Sequence, residues 1–563
     1  MNKKIIIVGL LSSILISLFL HFYKLNQVPP CINADEAAFA YNAYSILKTG
    51  RDEYGVFLPL RFKSFEDYKL PLYTYLSVPF IAIFGLNDFS TRALNIIIGV
   101  AFVPLMYFLA KELFNKDKIS LISAFLTSLS PGIYILSRHA HEGVIATFFI
   151  LLSLLFLVKY LKSQKLQHFI LINVFLLLNA FSYQTGRIYL LFFFVLLLLI
   201  IFLEKLSFRA MIFGVEESNT KVANKRSLHF GRDDKSLGIK VLILISVVIF
   251  ALFFDFKYGL NRVNNLLFFK NAGFHLRITE YLGEHPSRLI HNKLTEAIRD
   301  VSNRYVSQFS PDYLVINGDS NWRFGFPNLG LFTFIEYLYL FIGLYFLFKN
   351  KERFRYLLVF IIFITPINNA LTWQGQSLIR TYTLLFPILL VIGYGFYHSV
   401  ESVNNKYFKY SVVIVCIGTY FFFKFFAWDL YFNHYPKRAM TIRAWQCGYK
   451  ELVDYVKQNY AKYDRFYITD RHGQPYIFFL YYWPFDPASY QRLAKISAPD
   501  QYGFGQVGKF DKFEFRFTFD PKLKRSVFIG YPEHFNNVDQ QILNKIKKIK
   551  VGTEEIFWIY ENN

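Results

Sequence analysis

Apolar residues in this chain gather into long blocks instead of spreading evenly. Residues 190–203 and 241–254 contain no charged side chain. Runs of that kind suit hydrocarbon better than the wet face of a soluble helix. At about twenty residues per crossing, the pattern predicts spans at 5–20, 94–114, 119–136, 144–161, 168–183, 187–204, 239–256, 329–348, 355–372, 381–398 and 410–428. The chain therefore reads as an α-helical polytopic membrane protein with about 11 transmembrane helices. The first block follows Lys3-Lys4 like a signal peptide, but His21-Phe22-Tyr23-Lys24 replaces a small-residue cleavage site. It reads as an uncleaved first span.

Loop charge orients the array. Placing the N-terminus in the cytoplasm puts Lys111/Lys116/Lys118, Lys159/Lys162/Lys165, the stretch 205–240, Lys349/Lys351/Arg353/Arg355 and Lys406/Lys409 on the cytoplasmic side. All are basic, as the positive-inside rule requires. The polar stretch 216–235 reads as a flexible cytoplasmic linker.

Three external regions follow: 23–90, 257–325 and 429–563. In the first, 70–84 is apolar but short and holds Pro71 and Pro79, which fits a helix lying in the interface. In the last, 448–460 has helical periodicity. Segments 465–469, 514–519, 526–531 and 555–560 read as short strands. The predicted organisation is a membrane domain over 1–428 and an extracytoplasmic α/β domain over 429–563.

Composition agrees. The 563 residues are 54% hydrophobic and only 18% charged, against about 25% charged in soluble domains. The net charge of +22 raises nucleic acid as a partner, but the basic residues sit between apolar runs, where they set topology. The expected partners are membrane lipids, not nucleic acid. Cys31, Cys416 and Cys447 are too few for a disulfide scaffold or a cysteine zinc cluster. Cys31 and Cys447 fall on one side, so a bridge is possible, but two free thiols are favoured.

Chemistry concentrates outside. Asp35-Glu36, directly after the first span, offers a general base or a cation ligand. The same residues suit a helix N-cap with an acidic first turn, and alone they favour the cap. Thr49-Gly50-Arg51-Asp52-Glu53 reads as a helix stop and turn. Ser137-Arg138-His139-Ala140-His141-Glu142-Gly143 reads as a polar turn between helices; as a metal site it is a weak match. Lys69, Arg138, Arg187 and Arg380 lie at the outer boundary. Each alone suits snorkelling, whereas together they suit a phosphate clamp. Asp470-Arg471-His472-Gly473, after an expected strand, sits where α/β folds place ligand loops.

The order Asp35-Glu36, Lys69-Leu70-Pro71-Leu72, Gly85 and Arg92 resembles the first external loop of the GT-C glycosyltransferases. The likeness is to the branch holding the protein O-mannosyltransferases and the lipid A aminoarabinose transferase, with Leu70 where that branch has a first proline. It covers about 30–200 well and thins to hydropathy beyond.

The resemblance implies a GT-C type fold and an inverting transfer of sugar from a polyprenyl-phosphate donor to a protein, lipid or glycan acceptor at the outer face. Asp35, Glu36 and Glu142 are the implied catalytic carboxylates. Lys69 and Arg380, with Arg138 and Arg187, are the implied donor phosphate contacts. Tyr68, Tyr73, Tyr75 and Trp373 offer faces for sugar or isoprenoid. No cofactor is implied; a divalent metal is possible but not indicated. The alternative is a transporter or flippase of lipid-linked glycans, which would place ionisable groups at mid-span.

Overall fold

The computed structural model of the protein describes residues 2–65, 67–205, 230–258, 267–270, 272–372, 375–496 and 507–563. Most of the polar stretch 216–235 lies outside them, as does Trp373. Among the described residues seven helices are long and apolar enough to cross a membrane: Lys3–Phe22, Asp88–Phe114, Glu142–Ser163, Thr185–Leu203, Leu237–Phe254, Leu378–Glu401 and Lys406–Lys437. The pair Asp117–Ser128 and Pro131–Ser137, bent by 53°, makes eight if it is counted as one span; at the bend Pro131 removes a backbone donor.

The other expected spans are shorter. Leu166–Ser182 has 17 residues, and Pro366 interrupts the segment after Arg355–Ile364. The block at 329–348 becomes helix only at Phe334. There Thr333 caps the chain, its hydroxyl accepting from Glu336 N while Glu336 Oε2 accepts from Thr333 N at 2.7 Å. Hydropathy cannot register such a late start; the capping pair can.

The chain divides into two compact units. One comprises Met1–Phe22, Ile98–Ser137 and Glu142–Trp428; the other comprises Tyr23–Ile97, Arg138–His141 and Asp429–Asn563.

In the first unit, small residues bring apolar helices together. A Cβ on Gly343 would meet Val391 O at 2.1 Å, and one on Gly395 would meet Tyr339 O at 2.6 Å. Helices Phe334–Lys349 and Leu385–Glu401 therefore touch backbone to backbone, the approach that membrane helices make through glycine. His21, at the end of Lys3–Phe22, accepts or donates at Ser17 O and Ser137 Oγ, both 2.7 Å away. Ionisable groups are not confined to loops: Lys424 Nζ lies 2.8 Å from Glu336 Oε2, both buried. The pair joins helix Lys406–Asp429 to the first turn of Phe334–Lys349.

The second unit holds a hairpin, β1 (Phe62–Ser64) and β2 (Asp67–Lys69), and a seven-stranded sheet. Its strands are β3 (Arg465–Ile468), β4 (Lys495–Ile496), β5 (Val507–Phe510), β6 (Phe513–Phe515), β7 (Ser526–Gly530), β8 (Lys547–Val551) and β9 (Glu554–Asn562), in the order β4-β5-β6-β3-β7-β9-β8. β3 runs parallel to both β6 and β7, and the remaining pairs are antiparallel. Tyr467 and Phe528 pair across β3 and β7 with rings 5.2 Å apart, and pack with Phe535 and Tyr560 into a core. Helix Tyr449–Asn459 buries Leu452, Val453 and Val456, the one-face spacing its periodicity predicts.

Cys31 and Cys447 are disulfide-bonded, with Cα atoms 5.4 Å apart. The expectation of two free thiols is corrected: the fold of this unit brings together cysteines 416 positions apart, a proximity that no local pattern encodes. Cys416 is free.

Candidate functional site

Asp35 is the second residue of helix Ala34–Thr49, but it does not cap it. Asn33 does: its side chain accepts from Glu36 N at 3.1 Å, and Glu36 Oε2 accepts from Asn33 N at 3.3 Å. This reciprocal capping box satisfies the helix start without the Asp35 carboxylate. Its side chain is 43% exposed, and its Oδ1 accepts from Lys69 Nζ at 2.8 Å.

Lys69 ends β2, where it pairs with Phe62, and the chain then turns through Leu70 into helix Pro71–Phe84. Proline suits that first helical position because its missing N–H would be unpaired anyway. The Lys69 side chain is 6% exposed, and its ammonium lies 4.3 Å from the Phe39 ring centre and 5.4 Å from that of Phe65. Shelter by ring faces and contact with a carboxylate keep this charge in one place.

Glu36, the neighbouring acid, sits in a different setting from Asp35. It is fully buried. Its Oε1 accepts from Arg92 Nε at 3.0 Å and Ala140 N at 2.8 Å; its Oε2 accepts from Arg92 Nη2 at 3.0 Å as well as from Asn33 N. Arg92, equally buried, also donates to Pro29 O and Cys31 O. Both oxygens accept hydrogen bonds, so Glu36 anchors the helix that presents Asp35.

Arg138 also makes structural contacts. It is buried, donates to Tyr23 O at 2.8 Å and Val28 O at 2.5 Å, and stacks 4.8 Å from Phe432. These bonds tie down the chain leaving the first helix. Asn95 fixes the next turn by donating to His139 O and His141 O at 2.7 and 2.8 Å. Tyr73, read as a possible sugar platform, is buried against Phe39 at 4.8 Å.

The strand-end loop reaches the same helix. Gln446 Nε2 donates to His472 O, and its Oε1 accepts from Ala34 N, each at 3.0 Å. Ala34 immediately precedes Asp35, so one amide joins the loop after β3 to the start of the site helix.

Two carboxylates escaped the sequence reading. Gly50 closes helix Ala34–Thr49 in the left-handed region, φ +68°, a conformation that costs glycine little. The chain then folds back, and Glu53 N donates to Asn42 Oδ1 of the same helix at 3.0 Å. This buries Glu53. Asn42 and Tyr476 face its carboxylate, but neither oxygen accepts a hydrogen bond of normal geometry. Burial pushes Glu53 up to about 8; Asp52 adds to the rise and Lys69 opposes it. In the other unit Asp319 is buried, accepting from Leu378 N at 2.7 Å and Asn321 N at 2.8 Å. Burial raises it to about 6, with Arg380 acting in the opposite direction. Asx turns in sequence signal the fold-back; burial is invisible there.

The remaining candidates belong to the first unit. Glu142 opens helix Glu142–Ser163 and is buried. Arg187, in the first turn of Thr185–Lys205, donates to Gln184 Oε1. Arg380, half-buried in helix Leu378–Thr381, donates to Thr372 Oγ1. Among the described residues no group of three or more His, Cys, Asp or Glu side chains is placed to hold a metal ion.

Known proteins resemble both the segment and the fold. Residues 69–214 match the dolichyl-phosphate-mannose-protein mannosyltransferase family. An uncharacterized protein of Aquifex aeolicus (strain VF5) is 30% identical over 149 residues, which are 26% of this chain and 29% of that protein. ArnT from Cupriavidus metallidurans superposes in its apo state with a TM-score of 0.52 at 9% identity, over 98% of this chain and 97% of ArnT. Its complex with undecaprenyl phosphate also gives 0.52, at 10% identity, over 99% and 98%. The oligosaccharyltransferase AglB from Archaeoglobus fulgidus gives 0.48 at 13% identity; the chain spans 85% of its own length and 63% of AglB. At such identities the likeness to ArnT is one of fold, and it runs the length of both chains. The GT-C resemblance carried by the loop motifs therefore holds for the architecture, and the protein is a multi-pass membrane protein.

Proposed function

We propose that the chain is an inverting glycosyltransferase, moving a sugar from a polyprenyl-phosphate donor to an acceptor hydroxyl or amine on a protein, lipid or glycan. One observation carries the reading: a half-exposed carboxylate, Asp35, is relieved of capping duty and held 2.8 Å from the sheltered ammonium of Lys69. The family match begins at Lys69, and the ArnT structure of the same fold was solved with undecaprenyl phosphate bound.

In this reaction Asp35 takes the proton of the acceptor as its oxygen or nitrogen bonds to the anomeric carbon. The bond from that carbon to the phosphate oxygen breaks, and polyprenyl phosphate leaves with the electron pair. A single displacement inverts the anomeric centre. Lys69 holds the Asp35 carboxylate in position and offers positive charge where the leaving phosphate grows negative. Arg380 is assigned the same class of ligand, a phosphate oxygen. No step calls on a metal or another cofactor.

We place Asp35 on the extracytoplasmic side, with about eleven crossings, a cytoplasmic N-terminus and 429–563 outside. The basic loops support this, as does the Cys31–Cys447 bond, since disulfides persist in oxidising compartments. Reporter fusions should read cytoplasm after Lys349 and outside after Asn563.

Mass spectrometry of membrane glycoconjugates from cells with and without the gene tests the activity. The expected result is one glycoconjugate class that loses a sugar in the deletion and regains it with the wild-type chain but not with Asp35→Asn. Identical glycoconjugates in all strains would overturn the reading.

A further inference from the structure

Helices Ala272–Glu284 and Lys293–Ser307 lie in the long region after Leu237–Phe254, which charge and polarity assign to water. Their packing is inside out. On Lys293–Ser307 the stripe Leu294, Ile298, Val301, Tyr305 follows the i, i+4, i+7, i+11 spacing of one helix face. A helix on a water-soluble body turns such a face inward. Here Leu294 is 69% and Ile298 59% exposed, while Glu296 on the opposite face is 5% exposed. That inner face is stitched by charge: Arg277 of the first helix donates to Glu296 at 2.7 Å and Asp300 at 2.5 Å, and Arg304 donates to Ala370 O.

Water does not reward that arrangement, because burying the charged face costs desolvation and exposing the aliphatic one forfeits its burial. An apolar medium on the outer side rewards both. The turn between the helices adds exposed Leu289 and Ile290 beside exposed Arg288 and Lys293, the mixture of aliphatic and basic residues that settles on anionic lipid. The surface is also continuous with a helix already read as apolar. Tyr305 Oη donates to Phe363 O at 2.7 Å, and Phe363 projects outward from the Arg355–Ala370 segment. Beside Leu294 a cavity of about 550 Å³ opens, walled by Phe268, Phe269, Phe274 and Ala297, with His275 and Lys293 also lining it.

We propose that this helical hairpin is a membrane-surface element: it lies in the leaflet beside the spans, its aliphatic stripe among acyl chains, with one chain entering the cavity. Arg288 and Lys293 meet lipid phosphates. The occupant is bilayer lipid, not a second copy of the chain or another protein.

The test uses the full-length chain with Cys416→Ser, so that the Cys31–Cys447 bond is kept and no free thiol remains. Ile298→Cys, or Leu294→Cys as an independent variant, carries an environment-sensitive fluorophore in nanodiscs of phosphatidylethanolamine and phosphatidylglycerol. Gln540→Cys, exposed, gives the aqueous reference. Doxyl-labelled lipid should quench positions 298 and 294 several-fold more than 540, and iodide should show the reverse order. Iodide quenching at 298 and 294 equal to that at 540 would overturn the proposal. Protection from both quenchers would also overturn it, since protein would then cover the face.

Discussion

Lys69 Nζ is bonded to Asp35 Oδ1 at 2.8 Å and rests 4.3 Å from the Phe39 ring, so residues one turn apart on a single helix hold one ammonium between a carboxylate and an aromatic face. Position 35 thus gains a fixed partner, and the partner cannot swing into solvent without losing both contacts. Predictions about the chemistry start from this pair.

Asp35→Asn removes the base and keeps the size. Because Asn33 and Glu36 do the capping, expression and melting temperature should stay close to wild type, while sugar transfer falls by roughly 10²-fold or more. Transfer within a few-fold of wild type, measured with membranes and labelled polyprenyl-phosphate sugar, would move the base elsewhere, with Glu142→Gln the next variant to make.

Arg92→Ala should act on the fold. It strands the buried Glu36 carboxylate, and breaking a buried pair from one side costs about 3–5 kcal/mol. Thermal unfolding in detergent should shift down by several degrees or more, and Glu36→Gln should shift in the same direction. An unchanged melting temperature for Arg92→Ala would show that the pair does not secure the helix.

Glu53 gives a pH dependence with a definite sign. Its folded-state value is raised from an ordinary 4.5 to about 8 by burial. Between those values the unfolded chain has released a proton that the folded chain keeps, so the contribution of this group falls as pH rises from 4.5 towards 8, then levels off. Glu53→Gln should flatten that part of the melting-temperature profile and raise stability most at the alkaline end. Superimposable profiles for the two proteins between pH 5 and 8 would contradict it.

The disulfide makes a covalent prediction. With a protease site placed in the polar stretch 216–235, the cut chain should run as one species without reductant and as two with it. Cys31→Ser should release the halves under both conditions, and lower stability by about 2–5 kcal/mol.

Much of the architecture was legible because hydropathy and loop charge are local averages: the long spans need only composition. The motif order Asp35, Lys69, Arg92 was legible too, and the structure joins Asp35 to Lys69 and Glu36 to Arg92. Which of the adjacent acids faces outward was not, since that depends on Asn33 taking the cap. Glu53 looked like turn punctuation, and only the fold-back that buries it changes its chemistry. Strand β8 was missed because Lys547, Lys548 and Lys550 are all exposed on a sheet edge, where charge is a protection against pairing but reads as loop. The hairpin at 272–307 lay inside an external region read as one long loop, and a sequence carries no arrow saying which side of a helix meets the rest of the chain.

The bond between Cys31 and Cys447 also makes the protein a ring, with 416 positions separating its joined residues. A ribosome adding about 5–20 residues per second needs roughly 20–80 s to travel from the first sulfur to the second. For that interval Cys31 waits as an unmated thiol while most of the membrane helices are being made. The last link of the ring is therefore a timed event, and a cell making this protein must shield an early cysteine from every earlier partner.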